Sequence, residues 1–523
     1  MKSHILKKKI FFIVSIVVLT SIIFFGGLAL KNKSDFSYKT IMQKLSYYKY
    51  KFIFWGDFDR LIVNSNDTSL IPVLLYHGIT NAKGQYNMTQ SQFANEMITL
   101  KKNGYSTIKI NDLYDFLNKR KKLPEKSFLL TFDDARRDSY LGADPILKLL
   151  GYNAVMFVPT ADSFAKDNNG DQYYLNGYQL EKMIKSGRWE LGSHAMQQTG
   201  DSVMITDGGN KVDFLSNKMW LEKEKRIETD KEYEARVDKE LTQSKIDLEK
   251  TFNVPITAFA YPSSDYGQQS TNNDKNAEKI ILKYILKNYQ MAFQQVSSTD
   301  TEFTLNRPGD NMFFLRRIEP GSDWDGDRLL DVLQSANEKV LPAENLTDSS
   351  NVWKRIWGTI TQNNNGLILT STLIKSGSGA FLDGTQNWTN YQYQTTVNGD
   401  TMGAITLYSR YQDEDNNISC TFTNSYVKIS EKVNGTISLL KEVKYQNAMV
   451  FKDTIFGVSI NNDTILCSLG EKVVLGSNHK NKIKYGGIGF NIWDSDLKER
   501  SVVFSDVSAK AVSNLTIPIG IKK

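Results

Sequence analysis

Phe128-Leu-Leu-Thr-Phe-Asp-Asp-Ala135 is the stretch that decides the fold, because in it an apolar run ends in two adjacent carboxylates. The apolar side chains predict a buried strand, and Asp133 and Asp134 follow where that strand leaves the core. Neighbouring carboxylates repel each other, so we expect a cation to hold one of them and the other to be free for proton transfer. Acidic pairs are also common in loops, and the pair alone does not decide between a catalytic site and a turn.

Helical and strand-like patterns alternate on both sides of this stretch. Ile71-Pro-Val-Leu-Leu-Tyr-His77 predicts an earlier buried strand, and the residues from Ser91 to Asn103 predict an amphipathic helix. Glu190-Leu-Gly-Ser-His194 and Thr257-Ala-Phe-Ala-Tyr-Pro262 predict later strands. Alternation at this spacing is typical of parallel strands joined by helices, so we expect an α/β sheet or barrel.

From Val352 onward the pattern changes to short strands of alternating polarity. Turn signals recur at Asn398-Gly399, Asn434-Gly435 and Tyr485-Gly-Gly487. This spacing predicts a separate all-β sandwich.

Several aromatic and sulfur side chains of this second region have two interpretations. An aromatic side chain there can stack on sugar rings or fill the core. The two cysteines can form one bridge or be two small buried residues. The side chains concerned are Trp388, Tyr391, Trp493, Cys420 and Cys467.

The chain begins with a candidate membrane anchor. Residues 10–30 carry no charge and follow Lys7-Lys-Lys9. A helix of that length measures roughly 31 Å, enough to cross the hydrocarbon core of a bilayer. A cleaved signal peptide is the alternative, but its apolar part is usually shorter and ends in a small-x-small site. We therefore predict an uncleaved span with the bulk of the chain outside the cytoplasm.

Length and charge limit the classes of function. A chain of 523 residues is too long for one core, and a net charge of +6 is modest. Much of the positive charge lies beside the apolar segment, and no stripe of Lys and Arg alternates with aromatic residues. We therefore expect no nucleic-acid partner. The aromatic and basic residues 31–70 could lie on a membrane or pack on the next domain.

The chain has four histidines, and only two of them end predicted strands of the α/β region. These are His77 and His194, whereas His4 precedes the apolar segment and His479 lies in a loop of the β region. A lone histidine at a strand end is more often structural than catalytic. Two such histidines in the same domain as the acidic pair favour an active site at one rim of the sheet.

Five short motifs resemble the NodB-type polysaccharide deacetylases, and among them the membrane-associated deacetylases of poly-N-acetylglucosamine. The resemblance covers roughly residues 71–341 and implies a distorted (β/α) barrel of the deacetylase type. The region after it resembles, more loosely, a jelly-roll-like sandwich of the concanavalin or laminin-G kind. The motifs, in chain order, are Val73-Leu-Leu-Tyr-His-Gly-Ile79, Leu130-Thr-Phe-Asp-Asp134, Gly192-Ser-His194, Phe259-Ala-Tyr-Pro262 and Arg316-Arg-Ile-Glu-Pro320.

The resemblance implies a role for each matching residue. Asp133 would be the general base and His77 the general acid, while Asp134 and His194 would hold a divalent metal, zinc or another transition metal. Such a metal lowers the pKa of water and polarises the acetamide carbonyl. The last two motifs imply substrate-binding roles for the residues Tyr261, Pro262 and Arg317.

One position departs from the family pattern. The family has a second metal histidine four or five residues after the first, whereas Gln198 and Thr199 occupy those positions here. Their oxygen atoms are weaker zinc ligands than imidazole. Asp201 is a third candidate for the missing ligand, although an acid in a Gly-Asp turn is more often solvated.

These observations predict four segments: a cytoplasmic start with the anchor at 1–30, a membrane-proximal linker at 31–70, the deacetylase-like domain at 71–341, and a β-sandwich at 350–523, with carbohydrate binding as one interpretation. The expected function is removal of N-acetyl groups from an exopolysaccharide or cell-wall glycan, with the exopolysaccharide synthesis machinery as a possible partner. One alternative is an impaired deacetylase fold that binds glycan without turnover. Another is a glycosidase, which would need a second carboxylate that the sequence does not identify.

Overall fold

The computed structural model describes residues 35–54, 66–84, 86–164, 173–197, 200, 202–296, 302–372, 376–399, 403–444, 452–494 and 499–518. The predicted span at 10–30 lies outside these ranges. Among the helices within them, none combines the length and the apolar character needed to cross a membrane.

The first half of the described chain contains short strands separated by helices. The strands are β1 (Val73–Tyr76), β2 (Gly78–Thr80), β3 (Asn87–Thr89), β4 (Ser106–Thr107), β5 (Ser127–Phe132), β6 (Ala154–Val158), β7 (Trp189–Ser193), β8 (Ser202–Met204), β9 (Lys211–Asp213), β10 (Trp220–Leu221), β11 (Arg226–Ile227), β12 (Ala258–Ala260), β13 (Met291–Val296) and β14 (Leu315–Ile318). The helices are α1 (Asp35–Ile53), α2 (Gln90–Lys102), α3 (Ile110–Leu117), α4 (Arg137–Leu150), α5 (Thr160–Ser163), α6 (Gly177–Lys185), α7 (Asp230–Phe252), α8 (Ala277–Asn288) and α9 (Gly326–Ser335).

Seven parallel strands of this described region close into a barrel. Their order is β1, β14, β13, β12, β7, β6 and β5, and β5 pairs with β1 to complete the ring. The strand β4 pairs with β5 outside the ring. Every residue of β1, β5 and β6 is buried, as expected for parallel strands that are covered on both faces. The predicted alternation of strands and helices around a parallel barrel is confirmed.

Local sequence explains where the longer helices begin. At Thr89, before α2, the side chain accepts a hydrogen bond from the Gln92 amide, and the Gln92 side chain accepts one from the Thr89 amide. Thr229 and Glu232 form the same reciprocal pair at the start of α7. Such capping boxes satisfy amide donors that the first helical turn leaves without partners.

The first described helix, α1, packs on the barrel. It lies against α4, with Tyr50 buried and Lys148 of α4 placed 5.1 Å from the centre of the Tyr47 ring. The sequence left two interpretations for residues 31–70, and the described part of this segment packs on the neighbouring domain.

The second half of the described chain is all β structure, as predicted. One sheet has the strand order β15, β18, β27, β20, β21, β22 and β23, and the other β16, β17, β28, β19, β24, β25 and β26. In chain order the strands are β15 (Trp353–Trp357), β16 (Thr359–Asn363), β17 (Gly366–Ser371), β18 (Gly377–Leu382), β19 (Tyr391–Gly399), β20 (Ala404–Asp413), β21 (Asn416–Thr423), β22 (Tyr426–Val433), β23 (Thr436–Lys444), β24 (Thr454–Asn461), β25 (Thr464–Leu469), β26 (Lys472–Asn478), β27 (Gly487–Trp493) and β28 (Arg500–Ala511).

The two antiparallel sheets share one core. Ile405 and Leu407 of the first sheet belong to the same buried cluster as Val458 of the second. Cys420 on β21 and Cys467 on β25 form a disulfide that joins the sheets, with 5.9 Å between their Cα atoms. Of the two interpretations of the cysteines, the structure shows the bridge.

The barrel and the sandwich contact each other directly. Phe303, which precedes β14, packs on Phe381 and Tyr411 of the sandwich, and the Phe303 and Phe381 ring centres are 4.7 Å apart. The Arg307 guanidinium lies 3.7 Å from the centre of the Tyr485 ring and donates a hydrogen bond of 2.6 Å to the Gln386 carbonyl oxygen. These contacts join aromatic side chains of both halves and one arginine of the barrel half in one interface.

Candidate active site

Strand register brings the acidic pair and the first histidine together. Tyr76 at the end of β1 pairs with Phe132 at the end of β5, so that His77 and Asp133 follow on neighbouring strands. The Asp133 amide donates a hydrogen bond of 3.2 Å to the Tyr76 carbonyl oxygen. Because the strands are parallel, their carboxyl ends meet at one rim of the barrel, where α/β folds place reactive groups.

The backbone after β5 turns so that the two carboxylates diverge. Asp134 and Ala135 have positive φ angles of 68° and 47°, a left-handed conformation that residues other than glycine seldom adopt. The Ala135 amide donates to the Phe157 carbonyl oxygen at 3.2 Å, and the Ala135 carbonyl oxygen accepts from the Leu175 amide at 2.8 Å. Strained backbone of this kind is concentrated at functional sites. Here it directs Asp133 and Asp134 to different partners.

Asp133 is bound by a buried arginine. Arg317 on β14 donates from Nη1 to Oδ1 at 2.6 Å and from Nη2 to Oδ2 at 2.7 Å, and both side chains are nearly inaccessible to solvent. Burial by itself raises the pKa of Asp133, but the charges of Arg317, His194 and His77 outweigh it and lower that pKa to about 2. Asp133 is therefore a carboxylate at neutral pH with a fixed orientation.

His194 is oriented by the barrel backbone. Its Nδ1 lies 2.9 Å from the Ala260 carbonyl oxygen, which can only accept, so Nδ1 carries the proton in this contact. The other ring nitrogen, Nε2, lies 3.5 Å from Asp134 Oδ1. Burial lowers the pKa of His194, and the carboxylates of Asp133 and Asp134 overcome this and raise it.

Asp134 and His194 place an oxygen and a nitrogen donor side by side. In the neutral tautomer the Nε2 lone pair faces a carboxylate oxygen, and two acceptors at this separation require a proton or a cation between them. Metal-binding histidines typically donate their other N–H to a carbonyl oxygen, as His194 does. The pair therefore fits two ligands of a divalent ion. Within the described residues, no group of three or more His, Cys, Asp or Glu side chains could hold such an ion.

The candidates for the missing ligand lie outside the described residues. These candidates are Gln198, Thr199 and Asp201. The preceding residue, Gln197, is buried, and its amide donates to Glu240 Oε2 at 2.7 Å. The substitute-ligand roles stay predictions.

His77 has a carboxylate partner that the sequence analysis did not single out. Nδ1 of His77 lies 2.7 Å from Glu319 Oε1, and Gln295 donates to the other oxygen of Glu319. Burial lowers the pKa of His77, but the hydrogen bond that His77 donates to Glu319 and the charges of Asp133, Glu319 and Asp134 raise it overall. Glu319 lies within the motif Arg316-Arg-Ile-Glu-Pro320, so the sequence could have indicated it as a site residue. No sequence motif indicated Gln295.

The predicted substrate-binding residues are buried. Tyr261 is buried, and its hydroxyl group donates to the Phe313 carbonyl oxygen at 3.1 Å. Pro262 is also buried and begins a short 3-10 turn. Arg317 is the partner of Asp133. The structure thus places these three side chains in internal contacts, and their roles toward substrate stay predictions.

A second arginine and two tyrosines lie near His77. The Arg136 guanidinium forms two hydrogen bonds to Asp138, of 3.0 and 2.6 Å, and lies 4.9 Å from the Tyr173 ring centre. A Cβ atom on Gly78 would come within 2.3 Å of Arg136 Nη2, so the glycine leaves space for this side chain beside His77. The exposed Tyr86 ring lies 5.7 Å from the His77 ring.

The barrel region is similar to known proteins. A family model described as Polysaccharide deacetylase matches residues 120–280. That match and the relatives below support a NodB-like polysaccharide deacetylase domain.

Two curated relatives and one solved structure illustrate the likeness. The chain is 27% identical over 249 residues to the poly-beta-1,6-N-acetyl-D-glucosamine N-deacetylase of Staphylococcus aureus, covering 46% of this chain and 73% of the relative. It is 29% identical over 125 residues to the Bacillus subtilis protein YxkH, which carries the same family name, covering 24% of this chain and 42% of the relative. A de-N-acetylase structure from Aggregatibacter actinomycetemcomitans has a TM-score of 0.42 and 19% identity, covering 50% of this chain and 99% of that one.

Proposed function

We propose that this protein is a metal-dependent hydrolase that removes N-acetyl groups from an amino-sugar polysaccharide. The observation that carries the proposal is the convergence of Asp133, Asp134, His77 and His194 at one rim, with His194 Nε2 facing Asp134 Oδ1 at 3.5 Å. The name of the Staphylococcus aureus relative supports the reaction, and supports poly-N-acetylglucosamine as the polymer to test.

Asp134 and His194 would hold the divalent ion. When bound, the ion supplies a Lewis acid that polarises the acetamide carbonyl. His194 is prepared for this role because the Ala260 carbonyl fixes its ring and its tautomer. Gln198, Thr199 or Asp201 would complete the ligand set.

Asp133 and His77 would move the protons of amide hydrolysis. Asp133, ionised and held by Arg317, accepts a proton from the attacking water as the new C–O bond forms. His77 with its Nδ1–H on Glu319 would donate from Nε2 to the amide nitrogen as the C–N bond breaks. The products are acetate and a free amine on the sugar. The pKa directions favour these forms, a carboxylate at Asp133 and an imidazolium at His77.

We also propose an extracytoplasmic location with residues 10–30 as the membrane anchor. The Cys420–Cys467 disulfide supports this location, because such bonds persist mainly in oxidising compartments. The exopolysaccharide synthesis machinery would then be a neighbour on the same membrane.

Amine release from a fully N-acetylated β-1,6-linked glucosamine polymer tests the reaction. The full chain, supplied in turn with zinc, cobalt, nickel and manganese, should release acetate and expose amines, and Asp133→Asn should abolish this. Metal content measured on the same samples should rise to one ion per chain and fall in His194→Ala.

Glu234→Gln, which changes a partly exposed acid on α7 that pairs with Lys283, is the matched control and should retain full activity. An absence of acetate release with every metal would refute the reaction. Glycan retention without metal uptake would instead support a protein that binds glycan without turnover.

A further inference from the structure

Two tryptophans lie side by side on the sandwich, on the face of the first sheet that points away from its core. Trp357 at the end of β15 and Trp493 at the end of β27 have ring centres 5.9 Å apart and planes inclined at 48°. Trp493 is 49% exposed, and together with Trp357 it forms an aromatic pair on this face. Trp388 and Tyr391, the other candidates from the sequence, are buried in the core.

The indole of Trp357 lies over a glycine strand. A Cβ atom on Gly379 would be 3.1 Å from Trp357 Nε1, and one on Gly377 would be 3.1 Å from the Cη2 atom at the opposite end of the indole. Both glycines belong to β18, so the ring system lies along that strand. Trp357 Nε1 donates a hydrogen bond of 3.0 Å to Asn491 Oδ1, which fixes the rotation of the ring. An indole held in this way presents its other face away from the sheet.

Polar side chains continue from this indole across the same face. Strand register places Gly379 opposite Asn491, Asn491 opposite Thr406, and Thr406 opposite Thr421. The Thr406 and Thr421 hydroxyl oxygens are 3.1 Å apart. The row up to Thr421 consists of an indole, an amide and two hydroxyl groups, and the next position, opposite Thr421, is Lys428.

The two threonines of this row are buried although they point away from the core. Thr406 lies between the core residues Ile405 and Leu407, so alternation directs it outward, yet it is only 7% exposed. On the corresponding face of the second sheet, Gln394 and Asn398 are exposed. Neighbouring groups therefore cover the two threonines, whereas Trp493 on the same face projects into solvent.

We propose that this face, at Trp357, Trp493 and Asn491, binds a chain of neutral pyranose sugars. The C–H faces of pyranose rings pack on indole faces, and their hydroxyl groups pair with amides and hydroxyls. A protein partner would need an apolar centre in place of this polar floor. Trp357 and Tyr408 both pack against the aromatic contact with the barrel, so a bound chain would lie close to the domain interface.

Binding to three defined glycans tests the inference. The probes are hexamers of β-1,6-linked N-acetylglucosamine, β-1,4-linked N-acetylglucosamine and β-1,4-linked glucose, titrated calorimetrically into the full chain carrying Asp133→Asn, so that turnover does not consume them. We expect at least one probe to bind, and Trp357→Ala and Trp493→Ala each to weaken that binding at least tenfold. Trp493→Tyr, which keeps an aromatic face, should recover most of the affinity.

Two controls distinguish loss of binding at the tryptophans from damage to the barrel and from misfolding. Ile455→Ala removes an exposed apolar side chain from the second sheet and should bind like the parent. With Asp133 restored, the Trp493→Ala variant should deacetylate a short acetylated trisaccharide at the parental rate if the barrel is a deacetylase. The inference is overturned if no probe binds at millimolar concentration, or if binding survives both tryptophan changes. It is also overturned if Ile455→Ala weakens binding equally.

Discussion

Arg317 and Asp133 face each other with two parallel hydrogen bonds in a buried part of the barrel, although 184 positions separate them in sequence. The strand β14 delivers the guanidinium to a carboxylate that follows β5, with β1 between these two strands in the ring. In a buried ion pair of this geometry, removal of one partner leaves the other charge buried without a counter-charge. The pair also keeps Asp133, the proposed proton acceptor, ionised.

Arg317→Met should leave Asp133 buried without a counter-charge. We expect the free energy of unfolding at pH 7 to fall by about 3 kcal/mol, measured by urea denaturation. Adding Asp133→Asn to the same chain should recover at least half of this loss, since the buried charge is then gone. Arg355→Met, at an exposed arginine, should change stability little. Equal instability of the single and double variants would contradict the ion-pair account.

Glu319→Gln should change the pH dependence of deacetylation. Glu319 helps to raise the pKa of His77, and His77 acts as an acid only while protonated, so activity should fall as pH rises through that pKa. With glutamine the alkaline limb of the kcat profile should move to lower pH. An unchanged alkaline limb would exclude His77 as the group that titrates there.

Glu96 should make the stability of the barrel depend on pH. Its carboxyl is buried and accepts a hydrogen bond of 2.7 Å from the Tyr76 hydroxyl, and burial raises its pKa from 4.5 to about 8. Between these values the folded state holds a proton that the unfolded state has released. Stability should therefore fall as pH rises from 5 to 9, by at most about 5 kcal/mol from this group.

Comparison with Glu96→Gln isolates this contribution from other titrating groups. Urea denaturation at pH 5, 7 and 9 should give a shallower dependence in the variant than in the parent. If the two slopes coincide, Glu96 is not the source of the pH dependence.

Reduction of the Cys420–Cys467 bond should destabilise the sandwich. The bond closes a loop with a sequence separation of 47, for which the chain-entropy estimate is about 4 kcal/mol. Thermal unfolding should therefore occur at lower temperature with dithiothreitol than without it. A variant with alanine at both cysteines should unfold at the lower temperature whether or not the reductant is present. If the parent is insensitive to reductant, the bond does not contribute to stability.

Sequence periodicity predicted the order of strands and helices, and the strand ends carrying His77, Asp133 and His194. Periodicity does not show which strands pair with each other in the sheet. Strand pairing determines which side chains come into contact and form hydrogen bonds. Glu319 reaches His77 because β14 pairs with β1, a long-range pairing without a local signal. Gln295 joins them because β13 lies next to β14.

Alternation along a strand likewise separates core from surface only when the register is known. Trp388 and Trp493 looked equivalent in the sequence, yet the first is buried and the second half exposed. The cysteines remained ambiguous for the same reason, because only the packing of two sheets brings β21 opposite β25.

The contact of Phe303 with Phe381 and Tyr411 has a practical consequence for dividing the protein. Dividing the chain near Leu341, where the sequence pattern changes, would separate the barrel from the sandwich and break this aromatic contact. Each fragment would then expose aromatic side chains to solvent and would be prone to self-association. The smallest well-behaved unit of this chain therefore includes both the barrel and the sandwich.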